Sequence, residues 1–168
     1  MTFENRYARN GFLVLMFALL AATFGPQVQA AGGGDADLRE LSRYTLTMAD
    51  IRKYAAANAN LAKHPKAEEN EDSEDDEDSD NESLDEMAAR IAKMPEARKA
   101  IEAAGLTPRQ YAVITMALFQ ASMAQFAVEQ GADPAKVARE ASVNPANIRF
   151  VKENKAELEK LKSPGSAD

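Results

Sequence analysis

Between Arg109 and Glu129 lie nineteen residues without a charge, bracketed by the two clearest boundary signals in the chain. Thr107-Pro108-Arg109-Gln110 predicts a helix start. Threonine is a favoured N-cap, proline at the first helical position gives up an N–H that has no partner there, and glutamine at the third reaches back to the cap. Leu106 stands where it can staple onto Tyr111. Gly131 closes the segment, because glycine readily takes the left-handed conformation that ends a helix. The spacing predicts a long helix over about 108–130, apolar nearly all round, with Thr115, Ser122, Gln125 and Glu129 as a narrow polar strip. Such a helix has to be covered by other helices or by lipid. At 1.5 Å per residue the uncharged stretch would span about 28 Å, close to a membrane core. Its five alanines and its interspersed glutamines favour close packing by neighbouring helices. The reading is a buried central helix, with Leu118 and Phe119 among its inward residues.

The remaining apolar residues also recur at helical spacing. Leu38, Leu41 and Tyr44 make a short lead-in. Thr47 with Asp50 is an acidic relative of the capping box, and Met48, Ile51, Tyr54, Ala55, Leu61 and Ala62 follow along a helix of about 48–63, whose stripe Asn58 interrupts. Ser83 with Glu86 forms an S-x-x-E box ahead of Leu84, Met87, Ala88 and Ile91. Pro95 restarts the chain for a helix to Ala104, ended by Gly105. Asp133-Pro134 opens a short helix to Ser142, and Asn144-Pro145 opens another over 145–161 with a weak point at Asn154. No strand pattern is present. The expected fold is all-α, a small irregular bundle of about five to six helices around the 108–130 helix.

Residues 1–30 read as a cleaved export signal. Arg6 and Arg9 are followed by an apolar run from Gly11 to Gly25, then Pro26, then Val28-Gln29-Ala30 with small residues where a signal peptidase reads. Fifteen residues fall short of the roughly 20 that a spanning helix needs. No membrane span is therefore expected after cleavage, and the protein is expected to be periplasmic or secreted. The chain has no cysteine, so in an oxidising compartment it has no disulfides and relies on its apolar core.

Charge is concentrated in one place. Glu68–Glu86 holds 13 acids in 19 residues and no base, while the flanks are mildly basic. A run of that composition cannot offset its own ordering entropy by burial. The expected organisation is an N-terminal helical segment 31–64, a disordered acidic linker 65–82, a helical domain 83–162 and a loose tail 163–168. Diffuse binding of divalent cations or basic partners at the acidic run needs only charge density. The expected partner is otherwise an unknown protein. The net charge of −7 and the absence of a basic cluster interleaved with aromatics speak against nucleic acid.

No residue set supports catalysis, cofactor binding or a defined metal centre. His64 is the only histidine and has no cysteine partner, so neither a Cys/His dyad nor a histidine-rich zinc site can be built. No serine lies in a G-x-S-x-G context and no glycine-rich loop is present. Asp76, Asp78 and Asp80 have the alternation of a calcium loop, yet Asn81 stands where the turn wants glycine and Met87 where a bidentate glutamate closes the shell. Met87 with Met94, and Met116 with Met123, are seven apart, a spacing that would suit thioether copper ligands, and core packing explains the same spacing. Glu102 and Glu129 stand near apolar helices, where desolvation would raise a carboxyl pKa. The expectation is a non-enzymatic binding or structural protein.

Leu106-Thr107-Pro108-Arg109-Gln110 resembles the L-T-x-x-Q motif of small periplasmic helical stress chaperones, and Leu46-Thr47-Met48-Ala49-Asp50 is similar but ends in aspartate. The resemblance covers ten residues, and the acidic insert departs from the family pattern. It implies a cradle of helices that binds unfolded clients outside the cytoplasm.

Overall fold

The computed structural model describes residues 34–63 and 82–162. Within them the fold is all-α, built from α1 (Asp35–Arg43), α2 (Met48–Leu61), α3 (Leu84–Lys93), α4 (Pro95–Ala103), α5 (Pro108–Glu129), α6 (Pro134–Glu140), α7 (Pro145–Glu153) and α8 (Lys155–Lys162). The export signal, His64 and the acidic aspartates Asp76, Asp78 and Asp80 lie outside the described residues.

The capping signals all form. Thr47, Ser83 and Thr107 each accept from the backbone N–H three residues on, and Asp50, Glu86 and Gln110 bond back to the cap. The Ser83 bonds hold the Glu86 carboxyl below its usual range. Asp133 and Asn144 cap the two later proline-led helices. Each bond satisfies a backbone donor that an uncapped helix leaves orphaned. At Gly131, φ is +96°, and the Gly131 N–H donates to Val128 O at 3.0 Å while Ala132 N–H donates to Ala127 O at 3.1 Å. That pair of bonds is the Schellman ending. Ser142 (φ +52°) ends α6 in the same way without a glycine, with Val143 N–H donating to Ala138 O at 3.0 Å.

The eight helices exceed the five or six expected, and part of the excess comes from Asn154. There the expected 145–161 helix divides into α7 and α8. The Asn154 side chain donates to Phe150 O at 2.8 Å, competing for the carbonyl that its own backbone N–H also uses. Such local side-chain bonds favour helix ends over helix interiors.

Helix α5 packs on α1, α2, α3, α4, α6 and α7, so it is central. It is not buried all round. Its covered residues are mostly small (Ala112, Val113, Ile114, Ala117, Ala121, Ala124, with Gln125), whereas Phe119 and Phe126 are each 47 % exposed. The expectation that Phe119 points inward is therefore wrong. Alanines let six helices approach one axis closely, and the large rings are left on the side that no helix among the described residues covers. By length and composition alone α5 would also cross a membrane, with a mean hydropathy of 1.4.

Two non-local polar clasps fix the chain around this axis. Asp37 of α1, 8 % exposed, accepts from the Leu84 N–H at 2.9 Å and so caps α3 from a different helix. Asn147 of α7, 1 % exposed, accepts from the Leu46 N–H and donates to Tyr44 O, both at 2.9 Å. Asn58, which breaks the apolar stripe of α2, accepts from the Tyr111 hydroxyl at 2.6 Å. Beside it the Tyr54 and Tyr111 rings lie 5.2 Å apart.

Candidate functional site

The carboxylates singled out in the sequence are surface groups. Glu102 is exposed and lies 3.9 Å from Arg98 on the same helix. Glu129 accepts from Lys155 Nζ at 3.0 Å and from Gln125 Nε2 at 3.4 Å. The Lys155 bond, the Gln125 bond and the Lys155 charge together lower its pKa, outweighing the small desolvation that would raise it. The expected upward shift is thus reversed, because α8 brings a lysine to the end of α5. The methionines do not gather as ligands: Met87, Met94 and Met116 pack against the apolar core. No group of three or more His, Cys, Asp or Glu side chains is placed to hold a metal ion among the described residues. Thr115 and Gln125, two members of the polar strip, bond within α5 itself, to Tyr111 O at 2.8 Å and to Glu129.

Two surfaces remain that sequence spacing does not reveal. The first is the open side of α5. Phe119 and Phe126 are seven residues apart and so share a face. Met116 and Met123 flank them, partly buried. No charge interrupts this face between Arg109 and Glu129. Thr115 and Ser122 are its polar members.

The chain matches no protein-family model, no curated protein and no solved structure.

The second surface is a groove of about 920 Å³ walled by α1, the end of α5, α6 and α7. Its floor is apolar, formed by Leu38, Val128, Ala138, Val143 and Ile148. Arg39, Arg139, Arg149 and Lys152 also line it, with Asp35 as the one acid. Three helices separated by up to a hundred residues contribute these cations, so no run of the sequence announces them. The deeply covered Gln125, 6 % exposed, lies at the α5 side.

A further charged cluster has a structural part. Arg109, in the first turn of α5, donates from Nη2 to Glu40 of α1 at 2.8 Å and pairs through Nε with Asp85 of α3 at 2.7 Å. Burial works against the charge, but the bond to Glu40 and the fields of both carboxylates hold the guanidinium above its ordinary value. The starts of α3 and α5 and the last turn of α1 are tied together there.

Proposed function

We propose that this chain is an exported, non-enzymatic binding protein whose contact surface is the open aromatic face of α5. The observation that carries the reading is the pair Phe119 and Phe126, each 47 % exposed on one uncharged helix face. Single exposed apolar residues are ordinary, whereas contiguous apolar patches mark interaction sites. Aromatic rings with methionines beside them are the residue types enriched where proteins meet. An uncharged face leaves no buried charge unpaired when a second apolar surface covers it. The reading of 1–30 as an export signal supplies the compartment. The acidic run adds weak, salt-sensitive attraction for divalent cations or basic surfaces.

The same face favours a second reading, the one the L-T-x-x-Q resemblance implies: a helical cradle for unfolded clients. Unfolded chains expose apolar side chains, and two half-exposed rings on a helix flanked by methionines can meet many of them. A photo-crosslinking residue placed at Phe119, with Lys99 on α4 as the control position, separates the possibilities in the producing cell. A discrete adduct at 119 supports a folded partner, and a heterogeneous smear supports unfolded clients. An adduct pattern at 119 no different from that at 99 overturns the binding surface. For the client reading, the purified protein keeps a denatured substrate soluble at stoichiometric amounts, and Phe119→Ser with Phe126→Ser abolishes that protection.

A further inference from the structure

We infer that the groove between α1, α5, α6 and α7 binds a single-chain anionic amphiphile, a long-chain fatty acid in its simplest form. The acyl chain lies on the apolar floor and the carboxylate lies among Arg39, Arg139, Arg149 and Lys152. The inference uses a different surface from the aromatic face of α5 and stands independently of it.

The charge pattern is the first argument. Several cations elsewhere on the described surface are paired: Arg109 with Glu40 and Asp85, Arg52 with Glu157, Arg90 with Glu82, Lys155 with Glu129. Around the groove no ion pair joins any of the four cations to a described residue, and Arg39 donates only to the backbone oxygen of Asp35 at 3.0 Å. Four cations line the groove against Asp35 as its one lining acid, and with the field of Glu129 acting on Lys152 included they still leave a net positive charge at the opening. A guanidinium fork matches a carboxylate, and charge-assisted bonds are stronger than neutral ones.

The floor is the second argument, because it rules on what the anion carries. An inorganic anion would satisfy the rim and leave the part-exposed Leu38 and Val128 wet, above Ala138, Val143 and Ile148, which the fold already buries. Binding sites for small molecules have this build, a concave apolar surface of roughly 300–1,000 Å³ with a few convergent polar groups. The groove, at about 920 Å³, falls at the top of that range. A peptide helix 10–12 Å across, rising 1.5 Å per residue, would fill it within roughly two turns, too little to bring an acidic peptide both anchors and charge. Each methylene withdrawn from water adds to the affinity, so an acyl chain is the efficient occupant.

Gln125 is the third argument. Its side chain is among the few buried polar groups, yet its only described side-chain bond is the long 3.4 Å contact to Glu129. Gln125 lines the groove and no described donor bonds its carboxamide oxygen, which a water accompanying the bound carboxylate can meet.

Equilibrium dialysis of labelled palmitate against the exported protein tests the inference, kept below the concentration at which palmitate aggregates. The expected result is saturable one-to-one binding. Hexadecanol, with the same chain and no charge, binds at least roughly tenfold more weakly, as does palmitate to Arg139→Glu with Arg149→Glu. Ala135 is exposed on the groove wall, so Ala135→Trp obstructs the floor from outside the core and also weakens palmitate by at least roughly tenfold. Melting by circular dichroism accompanies each variant, and because the two sets of substitutions lie at separate exposed positions, either one alone carries the test. Absence of saturable binding overturns the inference, as does hexadecanol binding as tightly as palmitate. Folded variants that bind palmitate as wild type also overturn it. So does recruitment to phosphatidylglycerol vesicles without binding of monomeric palmitate, since that would make the cations a membrane-surface patch.

Discussion

Asn147 commits its whole carboxamide to the loop before α2, holding residues that lie a hundred positions earlier in the chain. Replacing it with leucine keeps the volume and leaves the buried Leu46 N–H without a partner. An orphaned buried donor costs roughly 1–3 kcal/mol, which Asn147→Leu should show in urea unfolding. Tyr44 O is protected in that variant, because Asn144 Nδ2 also donates to it at 2.9 Å. Adding Asn144→Ala removes that second donor, so the double variant is expected to lose more than the sum of the two singles. Tyr44 itself has a phenol pushed up to about 12 by burial, with the charge of Asp50 and a hydrogen bond to it adding to the shift. The folded state holds this proton more tightly than the unfolded chain. The resulting stability is complete below the ordinary tyrosine value near 10 and is lost as the pH rises towards 12. Phenolate absorbance during alkaline titration should therefore show a late component that disappears in Tyr44→Phe.

At the scale of the element, α5 separates side-chain size from burial. Ile114 is 1 % exposed and touches the core, so Ile114→Ala is expected to cost about 2–5 kcal/mol. Phe119→Ala and Phe126→Ala remove larger side chains from the open face and should each cost less than about 1 kcal/mol. Thermal melts of the three variants check the orientation, and a large loss at either phenylalanine would mean that something covers the face. Ser142 offers a local test of backbone strain. Its left-handed φ suits glycine better than serine, and Ser142→Gly should be neutral or stabilising by up to about 1 kcal/mol. These contrasts mark what the sequence makes legible. The starts at Thr47, Ser83, Thr107, Asp133 and Asn144 depend on residues within one turn, and each can be read locally. Which side of α5 is open cannot, since a helix apolar all round carries no phase information. Asn58 looks like a defect in an apolar stripe until Tyr111 arrives from α5, and the groove cations become neighbours only when α1, α6 and α7 meet.

At the scale of the whole molecule, α1 and α2 belong to the same core as the helices that follow the acidic run. Leu41, Leu46 and Ile51 are buried in one cluster with Leu84, Ile101 and Ile148. Arg52 reaches Glu157 at the far end of the chain at 3.0 Å, and Asn60 donates to Ala100 O at 3.1 Å. Counted as segments, 34–63 and 82–162 are separate in sequence and share one interior in space. The Asp37 cap on Leu84 adds a condition on connectivity. Because the first residue of α3 is held by α1 itself, the covalent link between Lys63 and Glu82 is not what keeps the two parts in register. An engineered protease site cut between Lys66 and Asn81 should then yield two pieces that comigrate in size exclusion and part only in denaturant, with Asp37→Ala weakening their association. The protein would be a natural case for fragment complementation, and the acidic run the place where its chain could be reopened to give new ends.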